Sequence, residues 1–116
     1  MFKRYSEKPI FSIEMGCIYL ISEYDNDSHC KIGRTSRSAN SRVNELQTGN
    51  MQELYIRHTF KTEKPSVLER MLHNHYSKNS VHGEWFELTE EECRDFPNVC
   101  RHYQDIIDSL RENPFF

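Results

Sequence analysis

Apolar and polar positions recur with two different periods along this chain, and each change of period marks an element. The run Cys17-Ile18-Tyr19-Leu20-Ile21-Ser22 is short, β-branched and aromatic, which predicts a strand. Asp25-Asn26-Asp27-Ser28 follows as a turn cluster, and Cys30-Lys31-Ile32-Gly33 is a second short run, so a β-hairpin is expected. A turn centred on a residue, either Asp25 or Asn26, places Tyr19 and Lys31 on one face because strand side chains alternate. A centre between two residues would separate them.

From Ser38 the apolar positions Ala39, Val43 and Leu46 recur at helical spacing, and Gly49 stands where a C-terminal cap is expected. Arg42 lies one residue off that stripe and flanks the buried face. Leu54 to Phe60 is the third strand, and Pro65 suits the first turn of a helix running to about Ser77. That helix carries a broad stripe of Val67, Leu68, Met71, Leu72 and Tyr76, with Glu69 and His73 four apart alongside it. Glu84 to Leu88 reads as a short strand or an extended return to the core. Thr89 and Glu92 form a capping box for a last helix, interrupted or restarted around Pro97, with Tyr103, Ile106, Ile107 and Leu110 on its apolar side. The expected architecture is α+β: a small antiparallel sheet of about three strands flanked by helices, in one domain spanning 1–116, with residues 89–116 as a helical extension.

Length agrees with that reading, because a chain of 116 residues buries about two-thirds of its unfolded surface, enough for one core without metal or disulfide staples. The four Cys are widely spaced and two stand beside strand positions, so buried reduced thiols are expected. Tight pairs such as C-x2-C, which structural zinc sites use, are absent from the sequence. No apolar stretch reaches the length of a transmembrane helix, and Met1 to Tyr5 lacks the apolar core of a signal peptide. The expectation is an intracellular protein, cytoplasmic or nuclear, that is not secreted and meets no membrane.

The formal net charge of −3 conceals a segregation of charge. Residues 1–83 hold 12 basic and 9 acidic side chains, whereas 84–116 hold 3 and 9. Lys31, Arg34, Arg37 and Arg42 fall in a stretch from His29 to Asn44 that contains no acid. Such a patch can meet a phosphate backbone, or it can be a solvated helix face.

Five pieces in order turn the patch toward chemistry: Cys17-Ile18-Tyr19; Lys31-Ile32-Gly33-Arg34-Thr35; Arg42 with Val43-Asn44-Glu45-Leu46-Gln47; Glu69 to His73; and Gly83-Glu84-Trp85-Phe86. Over about residues 16–88 the chain resembles the GIY-YIG endonuclease superfamily, and more closely a compact phage, viral and bacterial branch with KIG and GEWF motifs. The resemblance implies a metal-dependent nuclease that hydrolyses DNA phosphodiester bonds. It implies Glu69 as ligand of one divalent cation, Mg²⁺ or Mn²⁺, which keeps much of its hydration. Tyr19 would be the general base, Lys31 the cation that favours its phenolate, and Arg42 the clamp on the phosphate oxygens.

Arg34, Thr35, Arg37 and His73 would contact substrate, and Glu84 and His58 are additional candidates. Each has a plainer role open to it: Tyr19 as a packed strand aromatic, Lys31 as an edge charge, Arg42 paired with Glu45, Glu69 on a solvated helix face. Three departures from the family pattern stand out. Cys17 replaces a glycine, Lys31 replaces the second tyrosine, and Glu84 stands near where the superfamily often has an asparagine. They keep an alternative open, a non-catalytic nucleic-acid-binding or adaptor domain. DNA is the expected partner and RNA remains open. Any substrate preference would be short, structure-based, or supplied by a homodimer or protein partner, since phosphate contacts position but do not specify. The acidic last helix and Pro114-Phe115-Phe116 suggest a third, protein-binding role.

Overall fold

Five antiparallel strands form the sheet in a computed structural model that describes residues 15–111. Met1 to Tyr5 and Pro114 to Phe116 lie outside the described residues. The elements in chain order are β1 (Gly16–Glu23), β2 (Asn26–Thr35), α1 (Ala39–Thr48), β3 (Leu54–Thr62), α2 (Pro65–His75), a 3-10 turn (Ser77–Asn79), β4 (Ser80–His82), β5 (Trp85–Glu87) and α3 (Glu90–Leu110). Across the sheet the order is β3-β1-β2-β5-β4.

β1 occupies the middle of the early chain's pairing, with β2 on one side and β3 on the other. It is covered on both faces, which explains why its residues read as a continuous apolar run instead of an alternation: Ile18 through Ser22 are all buried. Its register with β2 sets Tyr19 opposite Gly33 and Ile21 opposite Lys31, so Tyr19 and Lys31 share a face. β2 begins at Asn26, earlier than the apolar run at Cys30, because a bulge between Ser22 and Glu23 lets the polar turn residues pair.

The sheet has five strands where about three were expected, and the extra ones are short. β4 is three exposed residues, Ser80–His82, on an edge; it buries nothing and so leaves no apolar period in the sequence. Gly83, with φ +57°, makes the turn from β4 into β5 in a backbone region that favours glycine.

One face of the sheet carries Ile18, Leu20, Cys30, Ile32 and Phe86 against Leu68 and Leu72 of α2 and Cys93, Phe96, Cys100 and Ile107 of α3. α3 is therefore built into the core, not appended to it. It starts with the expected capping box, in which the Thr89 side chain accepts from the Glu92 N–H and the Glu92 carboxylate accepts from the Thr89 N–H. Pro97 neither interrupts nor restarts it, although it lacks the N–H that would bond to the Cys93 carbonyl. Buried side chains on both sides of the proline, Phe96, Val99 and Cys100, hold the two halves on the same core. All four cysteines are free, and burial pushes the Cys30 and Cys100 thiols up to about 12.

On the other face a smaller cluster joins Tyr19, Ile21, Leu54 and Ala39, with Val43, Leu46, Ile56 and Trp85 packed around it. α1 lies over β1 and β3 there. Ser38 caps it by accepting from the Ser41 N–H. Among the described residues no helix is long and apolar enough to cross a membrane.

Candidate functional site

The candidate site sits where β5 stops following β2. β5 pairs with His29, Cys30 and Lys31, and a last bond runs from the Ile32 N–H to the Glu84 carbonyl. Beyond it, Gly33 to Thr35 pair with β1 alone. The sheet is thus notched at this edge, and side chains from its two faces can meet there. Tyr19 and Arg42 come from the α1 face, Arg34 and Glu69 from the α2 face, and Glu84 from the turn into β5. All five line one cavity of 240 Å³.

Gly33 makes the crossing possible. A Cβ at this position would lie 2.8 Å from Cε1 of Tyr19 and closer still to its ring end and hydroxyl. Absence of that atom lets the phenol lie flat over the backbone of β2 and bring its hydroxyl to the notch. The ring is sealed, with the whole residue 1% exposed. Burial raises the Tyr19 hydroxyl above its ordinary value, while a hydrogen bond from the Arg42 guanidinium pulls it down.

Each charged group here has a partner. Arg42 also donates to Glu45 at 3.1 Å. Glu69 lies 3.3 Å from Arg34. Lys31, only 12% exposed, is held by Glu84 at 3.0 Å and stands 5.6 Å from the centre of the Trp85 ring. The cation that touches the Tyr19 hydroxyl is therefore Arg42 and not Lys31. The two side chains share a face, as the hairpin register requires, but Lys31 is one strand further from the phenol and closer to a carboxylate. Burial raises the Glu69 carboxyl, and the nearby Glu84 charge raises it further; His73, Arg34 and Lys31 offset part of that. Burial, more than charge, therefore sets the direction at Glu69.

Thr35 is buried and accepts from the Arg37 N–H at 3.0 Å, fixing the turn that leads into α1. Arg37 pairs with Glu45 at 2.5 Å. Arg34, Thr35, Arg37 and Arg42 line a second cavity of 310 Å³ with Pro65 and Ser66, and it shares Arg34 and Arg42 with the notch. A third cavity of 530 Å³ shares Ser36 and Arg37 with the second and ends at Lys61. Cys17 faces that third cavity.

Two candidates are not brought to the notch. His58 lies opposite Leu20, on the α2 and α3 face, with its ring 6.2 Å from that of Phe96. The reason is parity: β3 pairing sends His58 to the same side as Leu20, away from Tyr19. His73 donates from Nε2 to the Ile32 carbonyl at 2.8 Å and packs on Phe86, so it braces α2 against β2 behind Glu69. Conversely, Gly33 stood in a quoted motif without a role. Its signal was available only through the hairpin register, which sets it under Tyr19.

Among the described residues no three His, Cys, Asp or Glu side chains converge to enclose a metal ion. Glu69 and Glu84 on a cavity with room for several waters instead suit a hard cation that takes most of its ligands from water and phosphate. The cleft sets two carboxylates beside two arginines, groups that can bind a cation and an anion side by side. The chain belongs to the T5orf172 domain family, whose model matches residues 16–101, from the first residue of β1 well into α3. This is a family of nuclease-like, DNA-binding domains with a GIY-YIG-like fold. No match to the chain was found among curated proteins or among solved structures.

Proposed function

We propose that this protein is a metal-dependent endonuclease that hydrolyses DNA phosphodiester bonds by a GIY-YIG-type reaction at the notch. The observation that carries the reading is the meeting of Tyr19, Arg34, Arg42, Glu69 and Glu84 on one cavity from both faces of the sheet. Glu69 would hold Mg²⁺ or Mn²⁺, with Glu84 in reach, and the bound ion would polarise the scissile phosphate and ease departure of the leaving oxygen. With Glu69 engaged on such an ion, the Arg34 guanidinium that now pairs with it would be free to bind a non-bridging phosphate oxygen. Tyr19, as phenolate, takes a proton from the attacking water. Arg42 favours the phenolate by its charge and faces the phosphate, where negative charge grows in the transition state. Lys31 acts at one remove, by fixing Glu84.

Glu69→Gln tests this directly. The variant should fold with an unchanged circular dichroism spectrum and lose cleavage of DNA in Mg²⁺ by about a thousandfold or more, the scale of a lost Lewis acid. Full activity in the folded variant would remove the mechanism. One observation favours a second reading, a nucleic-acid-binding domain without turnover: burial opposes ionisation of Tyr19. Salt-dependent DNA binding with no cleavage across Mg²⁺, Mn²⁺ and several substrate shapes would decide for it.

A further inference from the structure

The notch accounts for Glu84 but leaves the next residue of the same motif, Trp85, without a part. α1 lies over β1 and β3, and among the described residues no helix packs on the same face of β2 and β5. It carries His29, Lys31, Trp85 and Glu87, none of them buried, whereas Cys30, Ile32 and Phe86 on the opposite face all are. His29 and Trp85 are stacked there, with ring centres 4.5 Å apart and planes 6° from parallel. The indole also packs into the cluster with Ile21, which holds it in place.

Position is what gives the pair a use. Trp85 lies opposite Lys31, two residues along and one strand over from Gly33, which sets its backbone roughly 8 Å from the floor of the notch. The base of a nucleotide whose phosphate occupies the notch can reach it. Lys31, near the indole, and Arg34 and Arg42 in the notch supply the matching positive charge. An aromatic pair that is already ordered stacks a base with little further loss of freedom.

We infer that an unpaired nucleobase beside the scissile phosphate stacks on the His29–Trp85 pair. This rests on the nuclease reading above and deepens it. It assigns the substrate as DNA with an unpaired nucleotide at the cut, in a single strand, a bulge or a branch, in preference to continuous duplex. A base within an intact duplex is stacked on its own neighbours and cannot turn its face to the protein.

Trp85 is the sole tryptophan of the chain, so its emission reports the contact without a label on the protein. The full-length protein in EDTA, where cleavage is prevented, would be titrated with dye-labelled single-stranded, bulged and perfectly paired oligonucleotides of one sequence. Dye anisotropy gives binding and Trp85 emission gives stacking. The expected result is strong quenching by the single-stranded and bulged DNA and little by the duplex, even when the duplex is bound. Trp85→Ala should weaken single-strand binding about tenfold, with Trp85→Phe restoring most of it. DNA that binds without changing Trp85 emission overturns the inference and leaves the nuclease reading standing. So does a folded Trp85→Ala that binds the single strand as tightly as the parent. No binding of any DNA overturns both. Quenching is read on the unsubstituted protein, so the inference stands or falls on that titration even where Trp85→Ala does not fold.

Discussion

The two faces of the sheet differ in thickness, and the difference separates stability from chemistry. The α2 and α3 face is a continuous dry cluster in which Ile18, Leu20, Ile32, Leu68, Leu72, Phe96 and Ile107 are fully excluded from solvent. The α1 face has a four-residue buried centre ringed by side chains that are only partly buried. Charged side chains can enter only where packing ends, because a buried charge without a partner is expensive. The notch lies at that boundary. It uses the thick face as a rigid backstop for Glu69 and the thin face as an approach for Arg42 and Tyr19.

The sharpest way to break this contrast is to remove matched volume from each face. Leu72→Ala leaves a cavity in the thick cluster and should cost about 2–5 kcal/mol, seen as a large drop in the urea midpoint. Leu46→Ala, at a half-buried leucine of the thin face, should cost much less; equal losses would mean that the two faces are energetically alike. Gly33→Ala comes next. Its Cβ collides with the Tyr19 ring, and the expected loss is about 1–3 kcal/mol of stability together with most of the cleavage, since the phenol must leave the notch. A stable, active Gly33→Ala would show that Tyr19 does not need this path.

A smaller effect concerns pH. Glu69 has a raised carboxyl, so the folded state holds its proton more tightly than the unfolded chain does. Stability therefore falls as pH rises from the ordinary carboxylate range, near 4.5, through the raised value. Glu69→Gln removes that slope, so the variant should match or exceed the parent in Tm at pH 7 and lose its advantage at acid pH. Cleavage by the parent should run the other way, rising with pH as Glu69 and then Tyr19 lose protons. A Tm for Glu69→Gln well below that of the parent at pH 7 would mean that the carboxylate is held for stability. The smallest change is expected for Glu45→Gln. Its pairs with Arg37 and Arg42 are exposed, so Tm should hardly move. Freed of Glu45, both arginines should bind DNA more tightly at low salt, with a steeper salt dependence.

Much of this was legible in the chain itself. The apolar run of β1, the stripes of α1 and α2, and the capping box at Thr89 are local patterns, and local geometry enforces them. β4 and the unbroken passage of α3 through Pro97 were not legible. A three-residue exposed edge leaves no period, and only a shared core can override a proline. Among the candidate residues, ordered spacing was enough to bring Tyr19, Arg42, Glu69 and Glu84 to attention. It could not say that Lys31 answers to Glu84 while Arg42 answers to Tyr19, or that His58 points to the other side.

By itself the amino-acid order determined which short segments are strands and helices and which face of each is apolar, because those depend on neighbours within a few residues. Only the folded chain decided how the segments meet: that β5 parts from β2 after Lys31, that a bare glycine carries a phenol across the gap, and which cation neutralises which carboxylate. Those outcomes turn on distances between residues tens of positions apart, which no local period records.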